Sequence, residues 1–168
     1  MSLITSNKDS LNAVVLSGVC RRLVHLTMDD NMSIKIASLR TLGNIVSGAD
    51  QMTQVVLNVG ALPCLYSGLQ HESPTVRREA SWIVSNIMAG NQHQIQRAIV
   101  ANFIPILVNM MKNDEFELKK EAAFAICNAT LNGDQKQLMY DSHSISEDIL
   151  LDLRLLPPHG ILFFQSLS

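Results

Sequence analysis

Three asparagines recur at a fixed interval in the sequence, and the side-chain amide is a group that recognises peptide backbones. They are Asn44, Asn86 and Asn128, and the two intervals are equal, since 86 − 44 = 42 and 128 − 86 = 42. An amide offers both a hydrogen-bond donor and an acceptor, so a row of them holds the backbone of an extended peptide whatever its sequence. One turn before each asparagine stands a large side chain, in order Arg40, Trp82 and Phe124.

Two glutamates follow the same interval and add charge to this pattern. They are Glu79 and Glu121, with 121 − 79 = 42, and each precedes an aromatic residue by three positions. On a helix, positions i, i+3 and i+7 share one face, so glutamate, ring and asparagine form one stripe. An aromatic face attracts a cation and a carboxylate pairs with it, so the expected ligand is an extended segment rich in Lys and Arg. The first stripe departs from the pattern, with Ala37 and Arg40 in place of the glutamate and the ring.

The same residues also fit a purely structural interpretation. In that alternative, the rings fill the packing between repeats and the asparagines bond neighbouring loops. The joint recurrence of glutamate, aromatic ring and asparagine on one face favours the binding interpretation over the structural one.

Helices of a repeated unit are needed to position these stripes. Periods of about 40–47 residues are typical of stacked helical repeats of the armadillo and HEAT types. Blocks that open at Gly18, Gly60 and Asn102 each predict a turn followed by a helix, with Pro63 and Pro105 in early-turn positions. A polar loop, a long helix that carries the asparagine and a shorter helix follow. Three helices per unit is the armadillo pattern, so we predict an all-α, right-handed superhelical armadillo-repeat solenoid.

Glycines mark the predicted ends of the long helices. Gly48, Gly90 and the pair Asn132-Gly133 suit the left-handed conformation that stops a helix. These boundaries predict an N-terminal remnant, three repeats and a divergent tail, over residues 1–11, 12–49, 50–91, 92–133 and 134–168. The apolar segment 149–153 of the tail leaves two alternatives, a cap folded over the open end of the third repeat or a disordered tail.

Composition and charge restrict the classes of function. Of the 168 residues, 47% are hydrophobic and 5% aromatic, which is typical of an all-helical protein with an aliphatic core. The net charge of −2 provides no broad field for nucleic acid, and no apolar run reaches the ~18–20 residues that cross a membrane. The start of the chain lacks a basic segment followed by an apolar run, so secretion is not expected. Cys20, Cys64 and Cys127 are expected to be buried, reduced thiols of an intracellular protein.

Nothing in the sequence predicts an enzyme. The five histidines pair with no Cys, Ser or carboxylate at a motif spacing, and no glycine-rich phosphate loop is present. We therefore expect no catalytic residue, no metal site and no cofactor.

The long-helix phrases resemble those of a known family. They read ASLRTLGNIV over residues 37–46, EASWIVSNIMAGN over 79–91 and KEAAFAICNAT over 120–130. These phrases are similar to importin-α (karyopherin-α), and the likeness runs without gaps from about Ala13 to Gly133. The three units resemble the sixth, seventh and eighth armadillo repeats of that family.

The resemblance implies a cargo adaptor of nuclear import. Importin-α proteins bind basic nuclear localisation signals in a concave groove and hand them to importin-β, so cytoplasm and nucleus are the implied locations. Repeats six to eight of the family carry its minor signal-binding site. Its positions carry over as Arg40, Asn44, Val46, Thr53, Glu79, Trp82, Ser85, Asn86, Glu121 and Asn128. Phe124 stands where the family has Trp, which keeps a ring but weakens the attraction for a cation.

The sequence also departs from the family. Nothing in it resembles the basic N-terminal segment that binds importin-β, nor repeats one to five, and the likeness ends at about Leu138. These departures predict a truncated or alternatively terminated product that retains part of the binding surface without being a working carrier. The alternative function is an armadillo scaffold for protein–protein interaction with no preference for basic signals.

Overall fold

The computed structural model of the chain describes residue 13 and residues 17–132, and this part is helical. It contains eight α-helices and no β-strand within those residues. The helices are α1 (Val19–Leu26), α2 (Met32–Val46), α3 (Asp50–Asn58), α4 (Ala61–Leu69), α5 (Pro74–Met88), α6 (Gln92–Val100), α7 (Phe103–Asn113) and α8 (Phe116–Asn132).

The helices repeat in threes, as the sequence predicts. A short helix, a middle helix and a long helix follow one another in α3–α4–α5 and again in α6–α7–α8, while α1 and α2 match the last two helices of such a unit. The long helices begin at positions 32, 74 and 116, which keeps the interval of the asparagines, since 74 − 32 = 42 and 116 − 74 = 42. Helix α5 packs against both α2 and α8, which places the three long helices side by side.

The predicted turns before the middle helices are confirmed. Gly18, Gly60 and Asn102 cap the starts of α1, α4 and α7 with φ of 71°, 85° and 63°. Glycine adopts this left-handed region freely, and asparagine tolerates it better than most residues. Pro63 and Pro105 occupy the third position of α4 and of α7, where a missing N–H breaks no helical hydrogen bond.

The prediction of left-handed caps at the ends of the long helices is wrong. Helices α2 and α5 end at Val46 and Met88, and neither Gly48 nor Gly90 has a positive φ. A side chain at Gly48 would come within 2.8 Å of the sulfur of Met52, and one at Gly90 would overlap the side chain of Gln94. Both glycines therefore lie close to side chains of the next short helix, which would have to shift to accept a larger residue. The third predicted cap residue, 133, lies outside the described residues.

The core is aliphatic, and polar bonds fix the units against one another. The fully buried side chains include Leu, Ile and Met from several helices, and Phe103 stacks its ring 6.4 Å from that of Tyr66. The buried Gln94 donates from Nε2 to the carbonyl of Asp50 at 2.8 Å, which ties α6 to α3 one unit earlier. Because apolar packing alone resists sliding weakly, such directional bonds help to set how each unit sits on the last.

The three cysteines are all at least partly buried. Cys20 is buried, Cys64 and Cys127 are half-buried, and burial raises the pKa of Cys20 and of Cys127.

No single helix in the described part of the chain has the length and apolar character to cross a membrane. Only α3 and α4 meet that test together, as a pair bent by 89°.

The predicted cap at 149–153 lies outside the described residues.

Candidate peptide-binding face

The residues of the predicted stripes lie on the three adjacent long helices. We call this set the ladder face, which comprises Arg40 and Asn44 on α2, Glu79, Trp82 and Asn86 on α5, and Glu121, Phe124 and Asn128 on α8. Arg40 is exposed, Glu79 is buried, and the others are half-buried. Most of the ladder face therefore remains partly accessible, as a recognition surface must be.

Trp82 is seated by a glycine of the preceding long helix. The ring lies so close to Gly43 of α2 that a side chain there would overlap it. Gly43 is not among the site residues predicted from the sequence, although the sequence carries a signal for it. The residue before each ladder asparagine is small: Gly43, Ser85 and Cys127. A small residue at that position leaves room for the ring of the next unit to lie between two helices.

Glu79 is already paired with cations from within the chain. Its Oε1 accepts a hydrogen bond from Nε of Arg40 at 2.8 Å and lies 3.7 Å from a terminal nitrogen of Arg78. The Glu79 side chain is only 8% exposed, whereas the Arg40 side chain remains 55% exposed. Because one partner is largely solvated, the pair contributes about 0.2–1 kcal/mol to stability at most. Its larger effect is to neutralise the carboxylate that the sequence assigned to a ligand.

Glu121 has a different environment, although it is the counterpart of Glu79 one unit later. It is half-buried, and burial is the main cause that raises its pKa above the ordinary value. Lys120 and Arg78 lower the pKa, whereas the carboxylates of Glu117 and Glu79 raise it. No described residue forms an ion pair with Glu121, since the position equivalent to Arg40 is occupied by Trp82.

The ladder asparagines differ in how their amides are used. Asn128 donates from Nδ2 to the carbonyl of Ser85 at 3.1 Å and contacts the Ser85 hydroxyl at 3.3 Å, which ties α8 to α5. Nδ2 of Asn86 is buried and has no hydrogen-bond acceptor among the described residues. The equivalent neighbour of Asn86 is Gly43, which has no hydroxyl to offer. The Asn86 amide therefore differs from that of Asn128, which is bonded across to the preceding long helix.

Three of the residues carried over from the family resemblance present little side chain to solvent. Val46 and Thr53 are each 3% exposed, and the Thr53 hydroxyl donates to the Val46 carbonyl at 3.1 Å. Ser85 is buried and accepts from Asn128. These residues hold the connection between α2 and α3 and the contact between α5 and α8. A ligand on the ladder face would meet the rings, carboxylates and amides before it met them.

The ladder face combines aromatic rings, carboxylates and amides. Over the described residues, no group of three or more His, Cys, Asp or Glu side chains is placed to hold a metal ion. Two adjacent helices bring together the Trp82 ring, the Glu121 carboxylate without an ion-pair partner among the described residues, and the Asn86 amide.

Comparison with known proteins defines the class. The sequence matches the Armadillo/beta-catenin-like repeat family over residues 49–89 and 91–131. The structure superposes on a designed armadillo repeat protein in complex with peptide (KR)4 at a TM-score of 0.81 and 26% identity, over 90% of this chain and 68% of that one. A structure of computationally designed armadillo repeat proteins gives a TM-score of 0.85 at 24% identity, over 96% of this chain and 67% of that one. The chain therefore contains armadillo repeats over these residues, and the predicted all-α solenoid is confirmed.

Within that class, the similar sequences are importin α subunits. Importin subunit alpha-1b of Oryza sativa subsp. japonica is 47% identical over 139 residues, 82% of this chain and 26% of its own length. Importin subunit alpha-1a of the same species is 47% identical over 108 residues, which cover 64% of this chain and 20% of that protein. Importin subunit alpha-4 of Arabidopsis thaliana is 45% identical over 133 residues, which cover 79% of this chain and 25% of that protein. The predicted importin-α resemblance is confirmed, and the chain spans about a quarter of the length of these relatives.

Proposed function

We propose that the ladder face binds an extended, Lys/Arg-rich segment of the nuclear-localisation-signal class, as part of an importin-α-type adaptor for nuclear protein import. One observation carries the proposal. Arg40 shows that a guanidinium fits against the glutamate of the next unit, because its Nε lies 2.8 Å from Oε1 of Glu79. One repeat later, Glu121 lacks that partner and Trp82 stands in the place of the arginine.

The arrangement defines a position for one cationic side chain of a ligand. A Lys or Arg stem would lie along the Trp82 ring, with its charge at Glu121. Stacking on an exposed ring is worth about 0.5–1 kcal/mol, and ion pairing relieves a carboxylate whose burial raises its pKa. Phe124 would border the same position from α8 with a weaker ring.

The peptide backbone would bond to the amides of the ladder. Nδ2 of Asn86 has no acceptor among the described residues but is buried, so the amide would have to rotate toward the surface to donate to a peptide carbonyl. Adjacent helices pack about 8–10 Å apart and an extended chain advances about 3.3 Å per residue, so each unit covers about three peptide residues. Three units therefore accommodate about nine residues of ligand.

The comparisons support this interpretation of the site. Several similar sequences carry the name importin subunit alpha, and one similar structure, at 26% identity, was solved in complex with peptide (KR)4. We infer a non-enzymatic module that works in cytoplasm and nucleus, needs no cofactor, and has cargo proteins rather than nucleic acid or membrane as partners.

A second candidate is an armadillo scaffold that binds a partner without preference for basic signals. It is favoured by two contacts that use ladder groups internally. The charge of Glu79 is matched by Arg40, and the amide of Asn128 is bonded to Ser85. A scaffold would use the same face through its apolar rings, and its affinity would not depend on ligand charge.

Fluorescence anisotropy with labelled peptides separates the two candidates. A nine-residue Lys/Arg-rich peptide is compared with its Ala-substituted form on the full chain. We expect binding of the basic peptide alone, and at least about tenfold weaker binding by Glu121→Gln. Glu115→Gln, an exposed change in the loop before α8, is the matched control and should bind as the unmodified chain does. Equal affinity for both peptides would establish the scaffold instead.

A further inference from the structure

Ser73 is the only serine or threonine of the chain that is followed by a proline. It lies in the loop between α4 and α5, and Pro74 is the first residue of α5. Proline disfavours the helical conformation for the residue before it, and Ser73 is extended, with φ −74° and ψ 121°. Ser73 is half-buried between two exposed residues, Glu72 and Pro74, and its hydroxyl makes no capping hydrogen bond to α5. An extended Ser-Pro pair in a surface loop is what a proline-directed protein kinase recognises.

The position of Ser73 carries a carboxylate one unit later. Asn31, Ser73 and Glu115 are equivalent, since 73 − 31 = 42 and 115 − 73 = 42, and each directly precedes a long helix. The side chain of Asn31 accepts hydrogen bonds from the backbone N–H groups of Ser33 and Ile34. Glu115 places an exposed acidic residue at the same point. The repeat therefore accommodates a negative group where Ser73 stands.

The junction of the second and third units shows what an anion does in such a loop. Arg77, in the first turn of α5, pairs with both carboxylate oxygens of Asp114, with Nη2 to Oδ1 at 2.7 Å and Nε to Oδ2 at 3.0 Å. The same guanidinium donates to the carbonyls of His71 and Glu72 at 2.9 Å each. The hydrogen bond to Asp114 raises the pKa of Arg77. A cation at the start of one long helix thus holds the loop before the next.

The junction of the first and second units has the cation of this clamp without its anion. Lys35 and Glu72 are the counterparts of the pair, since 77 − 35 = 42 and 114 − 72 = 42, but neither forms an ion pair with a described residue. Instead, Nζ of Lys35 lies 3.3 Å from Nε2 of His71. Nδ1 of His71 accepts a hydrogen bond from the backbone N–H of Ser73 at 3.0 Å, so a neutral imidazole carries its proton on Nε2. Two donors therefore face each other, beside Ser73, without a shared acceptor in the described part of the chain.

We propose that Ser73 is a phosphorylation site for a proline-directed protein kinase, and that its phosphate binds Lys35 and the Nε2–H of His71. The kinase transfers the γ-phosphoryl group of ATP to Oγ of Ser73. The new Oγ–P bond replaces the P–O bond to ADP, which leaves, and the hydroxyl proton passes to the catalytic base of the kinase. The phosphate carries a charge of about −1.5 to −2 at neutral pH and supplies the acceptor that both donors lack. It gives the first junction the anion that Asp114 gives the second, whether or not the ladder face binds a peptide.

Mass spectrometry of the full chain tests the site. A panel of proline-directed kinases with ATP and Mg²⁺ should add one phosphoryl group to the folded chain, at Ser73. Ser73→Ala and Pro74→Ala should each lose this modification, whereas Thr75→Ala, two residues away, should keep it. Because the Ser73 hydroxyl makes no capping bond, Ser73→Ala should fold, and circular dichroism checks this for every variant. A folded chain that no kinase of the panel phosphorylates at Ser73 overturns the proposal.

Phosphorus NMR of the phosphorylated chain tests the contact with the junction. A bound cation favours the doubly charged phosphate, so the pKa of the phosphate should rise in Lys35→Gln and in His71→Ala. Lys35→Arg keeps the cation and should keep the lower pKa. Arg22→Gln makes the same charge change as Lys35→Gln at an exposed position of α1 and should also leave the pKa as it is. A phosphate that titrates alike in Lys35→Gln and in the unmodified chain would show that Lys35 does not bind it.

Discussion

Arg40 of α2 and Glu79 of α5 form an ion pair across the junction of two repeats, with Nε 2.8 Å from Oε1. The arginine thus occupies, from within the chain, the place that a ligand cation would take beside this glutamate. One unit later, Trp82 replaces the arginine and Glu121 has no described ion-pair partner. Of the two proposed cation positions, the one beside Glu79 is therefore filled from within the chain, whereas the one beside Glu121 has no ion-pair partner among the described residues.

Trp82 should be the main source of affinity for a basic peptide. Trp82→Ala removes the only tryptophan ring of the chain and should abolish most binding in anisotropy titrations. Trp82→Leu keeps apolar volume beside Gly43 but removes the ring that attracts a cation, so it should still lose about 0.5–1 kcal/mol. Phe116→Ala, at an exposed ring off the ladder face, is the control and should bind normally. Unchanged binding by Trp82→Ala would refute the site.

Releasing Glu79 should create a second cation position. Arg40→Trp removes the nearer of the two guanidinium groups beside Glu79 and supplies a ring, so it should tighten binding of a Lys/Arg-rich peptide by roughly 0.5–1 kcal/mol. Loss of the ion pair should cost up to about 1 kcal/mol of stability, since Arg40 is half solvated. Arg22→Trp, which makes the same change at an exposed position of α1, serves as the control. An affinity that stays the same would mean that Glu79 does not contact the ligand.

The ring at position 124 should limit affinity on the side of α8. Phe124→Trp restores the stronger quadrupole that the family resemblance implies at this position, and we expect binding to tighten by roughly 0.5–1 kcal/mol. Isothermal titration calorimetry with the Lys/Arg-rich peptide measures this change in affinity. The Ala-substituted peptide should show no gain, because the added attraction requires a cation. A gain for both peptides would indicate apolar contact and would favour the scaffold.

Gly43 should act through the position of the Trp82 ring. Alanine raises helix propensity by up to about 1 kcal/mol, but a methyl group here overlaps the ring, so Gly43→Ala should destabilise the chain and weaken peptide binding. Because Trp82 is the only tryptophan, its fluorescence reports the displacement directly. In a Trp82→Leu background, Gly43→Ala should cost less stability. A double-mutant cycle of the two changes measures the coupling between residues 43 and 82. A coupling of zero would exclude the contact.

The sequence predicted the periodic part of the fold because periodicity is local information. The constant interval between the asparagines predicted three long helices, and the turns at Gly60 and Asn102 were confirmed with positive φ. The error at Gly48 and Gly90 has one cause: glycine at a helix end suits either a left-handed turn or a close approach, and only the fold distinguishes them. Here the close partners are the side chains of Met52 and Gln94.

The charge balance of the ladder face could not be predicted in the same way. The stripes were assigned within single helices, where i and i+3 positions can be counted from the sequence. The contacts of Arg40 with Glu79 and of Asn128 with Ser85 join different helices, so they depend on how each unit is rotated on the last. That rotation follows from packing across the junction, including the fit of Trp82 over Gly43, which no single-helix pattern contains.

Acid should weaken peptide binding by protonating Glu121. Burial raises the pKa of this carboxyl above the ordinary 4.5, so it takes up a proton before an exposed glutamate does as the pH falls from neutral. A cationic ligand favours the ionised form, so binding releases a proton. Affinity should therefore be full above the raised pKa and decline through the window that leads down toward 4.5. Glu121→Gln should bind weakly at every pH in that window, with a flat profile.

The effect of Glu121 on stability should have the opposite sign. The folded chain holds this proton more tightly than the unfolded chain, so ionised Glu121 destabilises the fold above the raised pKa, and the penalty disappears as the pH falls through it. Glu121→Gln should consequently melt at a higher temperature than the unmodified chain at neutral pH, with a difference that narrows toward pH 4.5. Glu115→Gln, at an exposed carboxyl, should show neither trend. A variant that binds the basic peptide less well and yet folds more stably would identify Glu121 as a residue placed for a ligand, whereas a loss of stability would assign it to packing.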